Sequence, residues 1–318
     1  MKTRKLGYSD LYLTEVGFGA WAIGGDNWAF GWGPQDDNES IAAMHRAVEL
    51  GVNWIDTAAI YGEGHSEELV AQAFTGRRNE IIIATKCSQV WDDRSNISCI
   101  LKRDSIIKEC EDSLRRLNTD WIDLYQIHWP TDEEHIEEGW EAIAGLIEAG
   151  KVRYGGVSNF DASQMERAQK IHRIASSQPP YSMISRTVEG DNFEYCRQND
   201  IGVIAYSPMQ SGILTEHFDV NRLAENDWRL KSTEFQEPKL SVNLEFVDKL
   251  RPIARKYGKT IAQLAIAWTL RLEVVTAAIV GARRPSQIEE TVGGADWKIE
   301  DDDLKEIDAL LKERERKV

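Results

Sequence analysis

Short runs of apolar and β-branched residues alternate with longer segments of helical spacing almost from one end of the chain to the other. The apolar runs predict eight strands: EVGFGA (15–20), NWIDTA (53–58), IIIATK (81–86), IDLYQIH (122–128), RYGGVSN (153–159), IASSQ (174–178), GVIAYS (202–207) and VTAAIVG (275–281). Between them, segments such as NESIAAMHRAVELG (38–51), DSIIKECEDSLRRL (104–117) and EEHIEEGWEAIAGLIEAG (133–150) place apolar residues on one helical face between recognisable end signals. Strands separated in this way by seven or eight helices predict an α/β fold, a closed (β/α)8 TIM barrel. The opening stretch RKLGYSDLYLTEV reads as an N-terminal hairpin that plugs the barrel's bottom. Residues 208–240 are polar, contain Trp228 and show few periodic apolar positions. So long an irregular segment predicts a functional loop, placed here over the C-terminal mouth. No linker-like shift in composition divides the chain, so residues 1–318 are expected to form one barrel domain.

The strand ends carry the candidate chemistry. Asp56, Lys86, His128, Ser158, Asn159, Gln178, Tyr206 and Ser207 all fall at or just past the C-terminal ends of predicted strands. In a barrel those positions converge on a single mouth. Tyr61 follows Asp56 by one short loop, in WIDTAAIYGEG (54–64). Asp56, Tyr61, Lys86 and His128 make a coherent acid–base set. A phenol releases its proton near pH 10, and a neighbouring ammonium is expected to lower that value. A buried carboxylate would hold the lysine charged, and a histidine can hydrogen-bond a carbonyl oxygen. The set contains a proton donor but no activated nucleophile, and no GxSxG, HExxH or Walker-type motif occurs. Such a donor needs a separate source of reducing power, which points to a hydride-carrying nicotinamide. No GxGxxG follows a strand, so that cofactor is expected to bind in a non-Rossmann manner.

Composition narrows the partners. The chain has 38 Lys and Arg against 53 Asp and Glu, a formal net charge of −15, which argues against nucleic acid or an anionic membrane as partner. The start MKTRKLGYSD has no apolar signal core, and no run approaches membrane-spanning length. Cys87, Cys99, Cys110 and Cys196 lack metal-ligand spacing and read as reduced thiols of a cytoplasmic protein. No metal is expected. The sequence leaves the oligomeric state open.

The ordered set WIDTAAIYG, IIIATK, LYQIHWP, GVSNF, AYSPM and IVGARRPSQIEE resembles the aldo-keto reductase superfamily over essentially the whole chain. The resemblance implies a (β/α)8 barrel with NADPH extended across its mouth and Asp56, Tyr61, Lys86 and His128 as the catalytic tetrad. It further implies that Ser158, Asn159 and Gln178 hydrogen-bond the nicotinamide carboxamide, that Tyr206 stacks on the ring, and that Ser207, Met209, Gly212 and Leu214 wrap the pyrophosphate. Around the adenosine end, many members carry a lysine and an arginine where this chain has Gly281 and Gln287. Arg283 is therefore assigned to the 2′-phosphate, with Gln287 and Glu290 beside it and Arg284 as a solvated charge. NADPH is the implied cofactor, with NADH possible. A weaker similarity links the chain to bacterial sugar-aldehyde and glycerol-dehydrogenase-type members. The substrate is then a small aldehyde, sugar-derived or aliphatic, and the reaction runs backwards as an alcohol or polyol dehydrogenase. Trp28, Trp32 and Trp91 also lie in mouth loops, but Trp21 and Trp129 are the residues selected as substrate contacts. The same resemblance admits a second reading, an NADPH-binding redox-sensing regulatory subunit with slow turnover.

Overall fold

The computed structural model describes residues 1–26, 28–225 and 227–318. Asn27 and Asn226, inside the 24–37 and 208–240 segments, lie outside the described residues. A hairpin of β1 (Thr3–Lys5) and β2 (Tyr12–Thr14) comes first, followed by the barrel strands β3 (Val16–Gly19), β4 (Trp54–Asp56) and β5 (Ile82–Cys87). A second hairpin, β6 (Gln89–Trp91) and β7 (Ile97–Cys99), interrupts the series before β8 (Ile122–Ile127). The series ends with β9 (Val152–Ser158), β10 (Ser176–Gln178), β11 (Gly202–Ala205) and β12 (Val275–Gly281). The eight barrel strands are parallel and close in the order β10-β11-β12-β3-β4-β5-β8-β9. All eight fall where the apolar runs place them.

The helices between the strands include α1 (Asp37–Glu49), α2 (His65–Ala73), α3 (Arg103–Arg116) and α4 (Ile136–Glu148). Their apolar faces pack on the outside of the barrel in one large core. The Asp36 side chain accepts from the Glu39 N–H at 2.9 Å, satisfying an orphan donor and starting α1. A smaller apolar cluster fills the barrel itself: Trp54, Ala84, Leu124, Ile204 and Ala277 meet Leu6, Leu11 and Leu13 from the first hairpin. The hairpin thus seals the floor, and the open end is the one where the strands' C-termini lie.

Gly17 shows how tightly that interior is filled. A Cβ there would lie 2.0 Å from the Trp54 ring, whose indole N–H is fixed on the Thr14 carbonyl at 3.0 Å. Gly17→Ala is expected to cost about 1–3 kcal/mol by overpacking, read as a lowered Tm in thermal melts. An unchanged Tm would mean the Trp54 ring can yield.

The segment after β11 forms four short 3₁₀ turns, at 210–212, 220–222, 228–231 and 233–235, before α7 (Lys239–Lys256). It lies over the mouth, as its composition suggests. The hairpin β6–β7 was not expected. Its signal is the DDRS turn (92–95), where the Asp92 side chain accepts from the N–H groups of Arg94 and Asn96 at 2.9 Å each. The remaining helices are α5 (Ala162–Gln169), α6 (Asp191–Gln198), α8 (Ile261–Thr269), α9 (Pro285–Thr291) and α10 (Asp301–Glu315). Among the described residues, no helix is long and apolar enough to cross a membrane. The four cysteines are free thiols.

Candidate active site

Strand register brings the acid–base set together. Asp56, the last residue of β4, pairs with Ala84 on β5. Lys86 lies two residues further along, so its side chain projects from the same face, one step nearer the mouth. Its ammonium donates to Asp56 Oδ2 at 2.6 Å, to the Thr57 carbonyl at 2.8 Å and to the Tyr61 hydroxyl at 3.3 Å. Lys86 is 1% exposed, so all three bonds lie out of water. His128 follows β8, and its ring meets that of Tyr61 edge to face, with centroids 5.7 Å apart.

Tyr61 sits on the turn between β4 and α2, and glycine backbone fixes that turn. Gly62 has a φ of +63°, and a Cβ there would fall 2.1 Å from the Gly24 carbonyl oxygen. This close approach ties the Tyr61 turn to the turn after β3 and sets Trp21 beside Tyr61, 6.3 Å between ring centroids and 23° from parallel.

The electrostatics differ from expectation at one point. Lys86 was expected to lower the Tyr61 pKa, but the phenol is pushed well above its ordinary value, by burial first and then by the Asp56 and Tyr206 side chains. Desolvation outweighs the ammonium because neutral phenol needs no charge in the buried turn. Lys86 is itself drawn down by burial, with Asp56 opposing. His128 is held well below the usual imidazole value by burial and by the Lys86 charge. At neutral pH the site therefore holds a protonated phenol and a neutral imidazole, each able to donate one hydrogen bond.

Above this cluster opens a cavity of about 710 Å³. Its wall includes Asp56, Tyr61, His128, Ser158, Asn159, Gln178, Tyr206, Ser207, Met209, Gly212, Gly281, Arg283 and Gln287, together with Trp21 and Trp129. Leu214 and Glu290 are not among them. The Leu214 side chain is buried in the outer core, and Glu290 is exposed on α9.

Several of these residues already hold one another. The Gln178 amide donates to Asp56 Oδ1 at 2.8 Å, so that carboxylate is gripped by the lysine on one oxygen and the amide on the other. The Asn159 amide donates to the His128 carbonyl at 2.9 Å, and its oxygen accepts the Tyr206 hydroxyl at 2.9 Å, which fixes the plane of that ring. Arg283 reaches the cavity, yet its guanidinium donates to Gln35 Oε1 at 2.6 Å, to the Trp32 carbonyl at 3.1 Å and to the Pro34 carbonyl. It is thus first a tie to the 32–35 segment, with two of a guanidinium's five donors left over. Arg284 is exposed.

The set fits a nicotinamide dinucleotide. Amides and a hydroxyl edge the inner end and the flat Tyr206 ring borders it. Left-handed backbone at Ser207, Gln210, Ser211 and Gly212 turns the chain around the middle of the wall. At the far end Gly281 has nothing within 4 Å of where a Cβ would stand, and Arg283 supplies positive charge without a carboxylate partner among the described residues.

Part of the wall lies outside the residues selected from the sequence, although Trp28 and Trp32 were placed in mouth loops and Trp228 in the loop over the mouth. Trp28, Trp32, Trp228, Gln89 and Arg229 also line the cavity, and the Thr57 carbonyl holds Lys86. Trp228 was visible as the lone indole of a polar segment. Trp91, by contrast, packs behind the wall, against the cluster of Trp28, Ile60 and Tyr61, with Arg116 over its ring.

The model of the aldo/keto reductase family matches residues 15–312. An aldo-keto reductase, YhdN, of Bacillus subtilis (strain 168) is 35% identical over 98% of this chain and 94% of its own. An NADH-specific methylglyoxal reductase of Escherichia coli (strain K12) is 31% identical over 95% and 96%. Among solved structures, the glycerol dehydrogenase AKR11B4 of Gluconobacter oxydans superposes with a TM-score of 0.90 at 34% identity, covering 98% of this chain and 96% of the other. With its closed barrel and the polar cluster at its mouth, this chain belongs to the aldo/keto reductase family and is an oxidoreductase that reduces aldehydes with NAD(P)H.

Proposed function

We propose that the chain is a single-domain cytoplasmic reductase that uses NADPH in preference to NADH, with Tyr61 as proton donor to small aldehydes. The observation that carries this reading is the buried Lys86 ammonium, shared by Asp56, the Thr57 carbonyl and the Tyr61 hydroxyl at the base of a large cavity. When bound, a nicotinamide cofactor supplies the hydride to the carbonyl carbon. The protein's own residues manage the oxygen. Neutral His128 donates a hydrogen bond to the carbonyl and orients it, and Tyr61 gives its proton as negative charge develops. Lys86 stabilises the phenolate left behind, and Asp56 keeps the lysine charged in its buried position. Alcohol oxidation uses the same groups in reverse, with Tyr61 accepting the proton.

Ser158, Asn159 and Gln178 would hold the carboxamide, Tyr206 the ring face, and Ser207, Met209 and Gly212 the pyrophosphate. Gly281, Arg283 and Gln287 would surround the adenosine end. The unpaired charge and two remaining donors of Arg283 support the preference for a 2′-phosphate.

The test is cofactor oxidation with methylglyoxal, glyceraldehyde and benzaldehyde, run with NADPH and with NADH. Turnover of at least one aldehyde is expected, with kcat/KM for the cofactor about tenfold higher for NADPH, the discrimination one charged hydrogen bond supplies. Higher values with NADH would refute the phosphate assignment alone. Tight NADPH binding without turnover of any carbonyl compound would favour a regulatory, cofactor-sensing role.

A further inference from the structure

We propose that the mouth selects uncharged aldehydes that present a flat apolar face, and that Trp228 is the residue that sets this selectivity. The inference rests on the aldehyde-reductase reading above and narrows its substrate class.

Rings lead outward from the reacting hydroxyl. Trp21 lies nearly parallel to Tyr61, and Trp228 lies nearly parallel to Trp21, with centroids 5.3 Å apart and 24° between planes. Trp32 closes the group edge-on, 5.5 Å from Trp21 and 6.0 Å from Trp228. These indoles come from the turn after β3, the 24–37 segment and the 208–240 segment, so the wall forms only when both long loops lie on the mouth.

Trp228 is held by its neighbours in the chain. Asp227 is 4% exposed and accepts from the Arg229 guanidinium at 3.0 and 2.7 Å and from its backbone N–H at 2.9 Å. Arg229 also donates to the Ser211 carbonyl at 3.1 Å and lies 4.3 Å over the Trp32 ring. The indole between these two residues is therefore preorganised, which favours a rigid stacking partner. Phe30 and Trp129, 45% and 38% exposed, extend the aromatic surface to the rim.

Charge gives the second half of the argument. Each arginine on the cavity wall is already engaged: Arg229 pairs with Asp227, Arg222 lies 3.8 Å from Asp219, and Arg283, tied to Gln35 and the Trp32 carbonyl, keeps its unpaired charge for the cofactor's 2′-phosphate. Lys86 is paired with Asp56. With NADPH bound and Arg283 on its phosphate, a carboxylate or phosphate on the substrate would lose its water among indoles and meet no cation left uncommitted. A neutral aryl group loses little and gains stacking.

The experiment measures kcat/KM for benzaldehyde, 4-carboxybenzaldehyde and acetaldehyde at saturating NADPH, in wild type, Trp228→Ala and Trp228→Phe. Benzaldehyde is expected to exceed its 4-carboxylate by about tenfold or more, since burying an unpaired charge is the larger penalty. The benzaldehyde-to-acetaldehyde ratio is expected to fall about tenfold in Trp228→Ala, the scale of lost apolar contacts in a pocket, and to recover in Trp228→Phe. If Trp228→Ala does not fold, Trp228→Leu reports the same ratio. Equal rates for benzaldehyde and its 4-carboxylate overturn the proposal, because they reveal a usable cation. A loss in Trp228→Ala that falls equally on benzaldehyde and acetaldehyde also overturns it, because the residue then serves only the fold or the cofactor. If the protein turns over none of the three aldehydes, nor glyceraldehyde or methylglyoxal, the aldehyde-reductase reading itself fails and this inference falls with it.

Discussion

Tyr61→Phe is expected to lower kcat for aldehyde reduction by about 10²–10⁴-fold, the range typical of a lost general acid, with NADPH affinity kept. The substitution removes only the hydroxyl. The ring can keep its stacking on Trp21 and its edge contact with His128, and Lys86 retains its bonds to Asp56 and the Thr57 carbonyl. Folding should therefore be preserved, and fluorescence titration with NADPH can be compared directly with turnover. The pH dependence follows from the same site. The phenol is held well above, and the imidazole well below, its ordinary value, so both keep one protonation state across neutrality. In wild type, kcat/KM for reduction should be flat between about pH 6.5 and 8, whereas alcohol oxidation, which needs Tyr61 without its proton, should rise with pH. Full activity in Tyr61→Phe would assign the proton to another donor. A reduction profile that titrates near pH 6.5 would mean that His128 carries charge.

Lys86→Met should damage both activity and stability, and the two effects are separable. The carboxylate of Asp56 is 4% exposed and would lose its only cation, keeping the Gln178 amide as partner. Breaking a buried ion pair on one side costs about 3–5 kcal/mol, which urea unfolding would register directly. Turnover should fall at least about 10²-fold, because no ammonium remains to stabilise the phenolate as Tyr61 releases its proton. Adding Asp56→Asn removes the stranded charge, so the double variant should recover much of the stability but none of the turnover. A single variant as stable as wild type would show that water reaches Asp56. A double variant that regains activity would refute the role given to the ammonium.

The eight strands, the sealing hairpin and the loop over the mouth were readable because each rests on a local pattern. Apolar runs of strand length, helical spacing between capping signals and one long polar stretch are properties of neighbouring residues. Asp56, Lys86 and His128 were legible for a related reason: once the strands are placed, a barrel gathers every C-terminal strand end at one mouth, whatever the loops do. The β6–β7 hairpin escaped because its strands are short and its turn signal, around Asp92, is weak.

What the tertiary structure decided depends on distances between residues far apart in the chain. Burial of the Tyr61 turn against Gly24 reversed the direction of its pKa shift, since desolvation is a property of the assembled neighbourhood. Gln178 was expected on the cofactor and also grips Asp56, 122 residues away. Arg283 was expected on a phosphate and also ties down the 32–35 segment, through Gln35 248 residues away. Leu214 turned into the core and Glu290 out to solvent because a motif fixes the order of residues but not the direction in which each side chain leaves the backbone. Trp228 reached the cavity wall through an ion pair inside its own loop and through an indole stack on Trp21, a segment with which it shares no local pattern. Residue order thus determined which groups stand at the mouth. Packing and desolvation, which exist only once the loops have met, decided which of them are paired and which remain for a substrate.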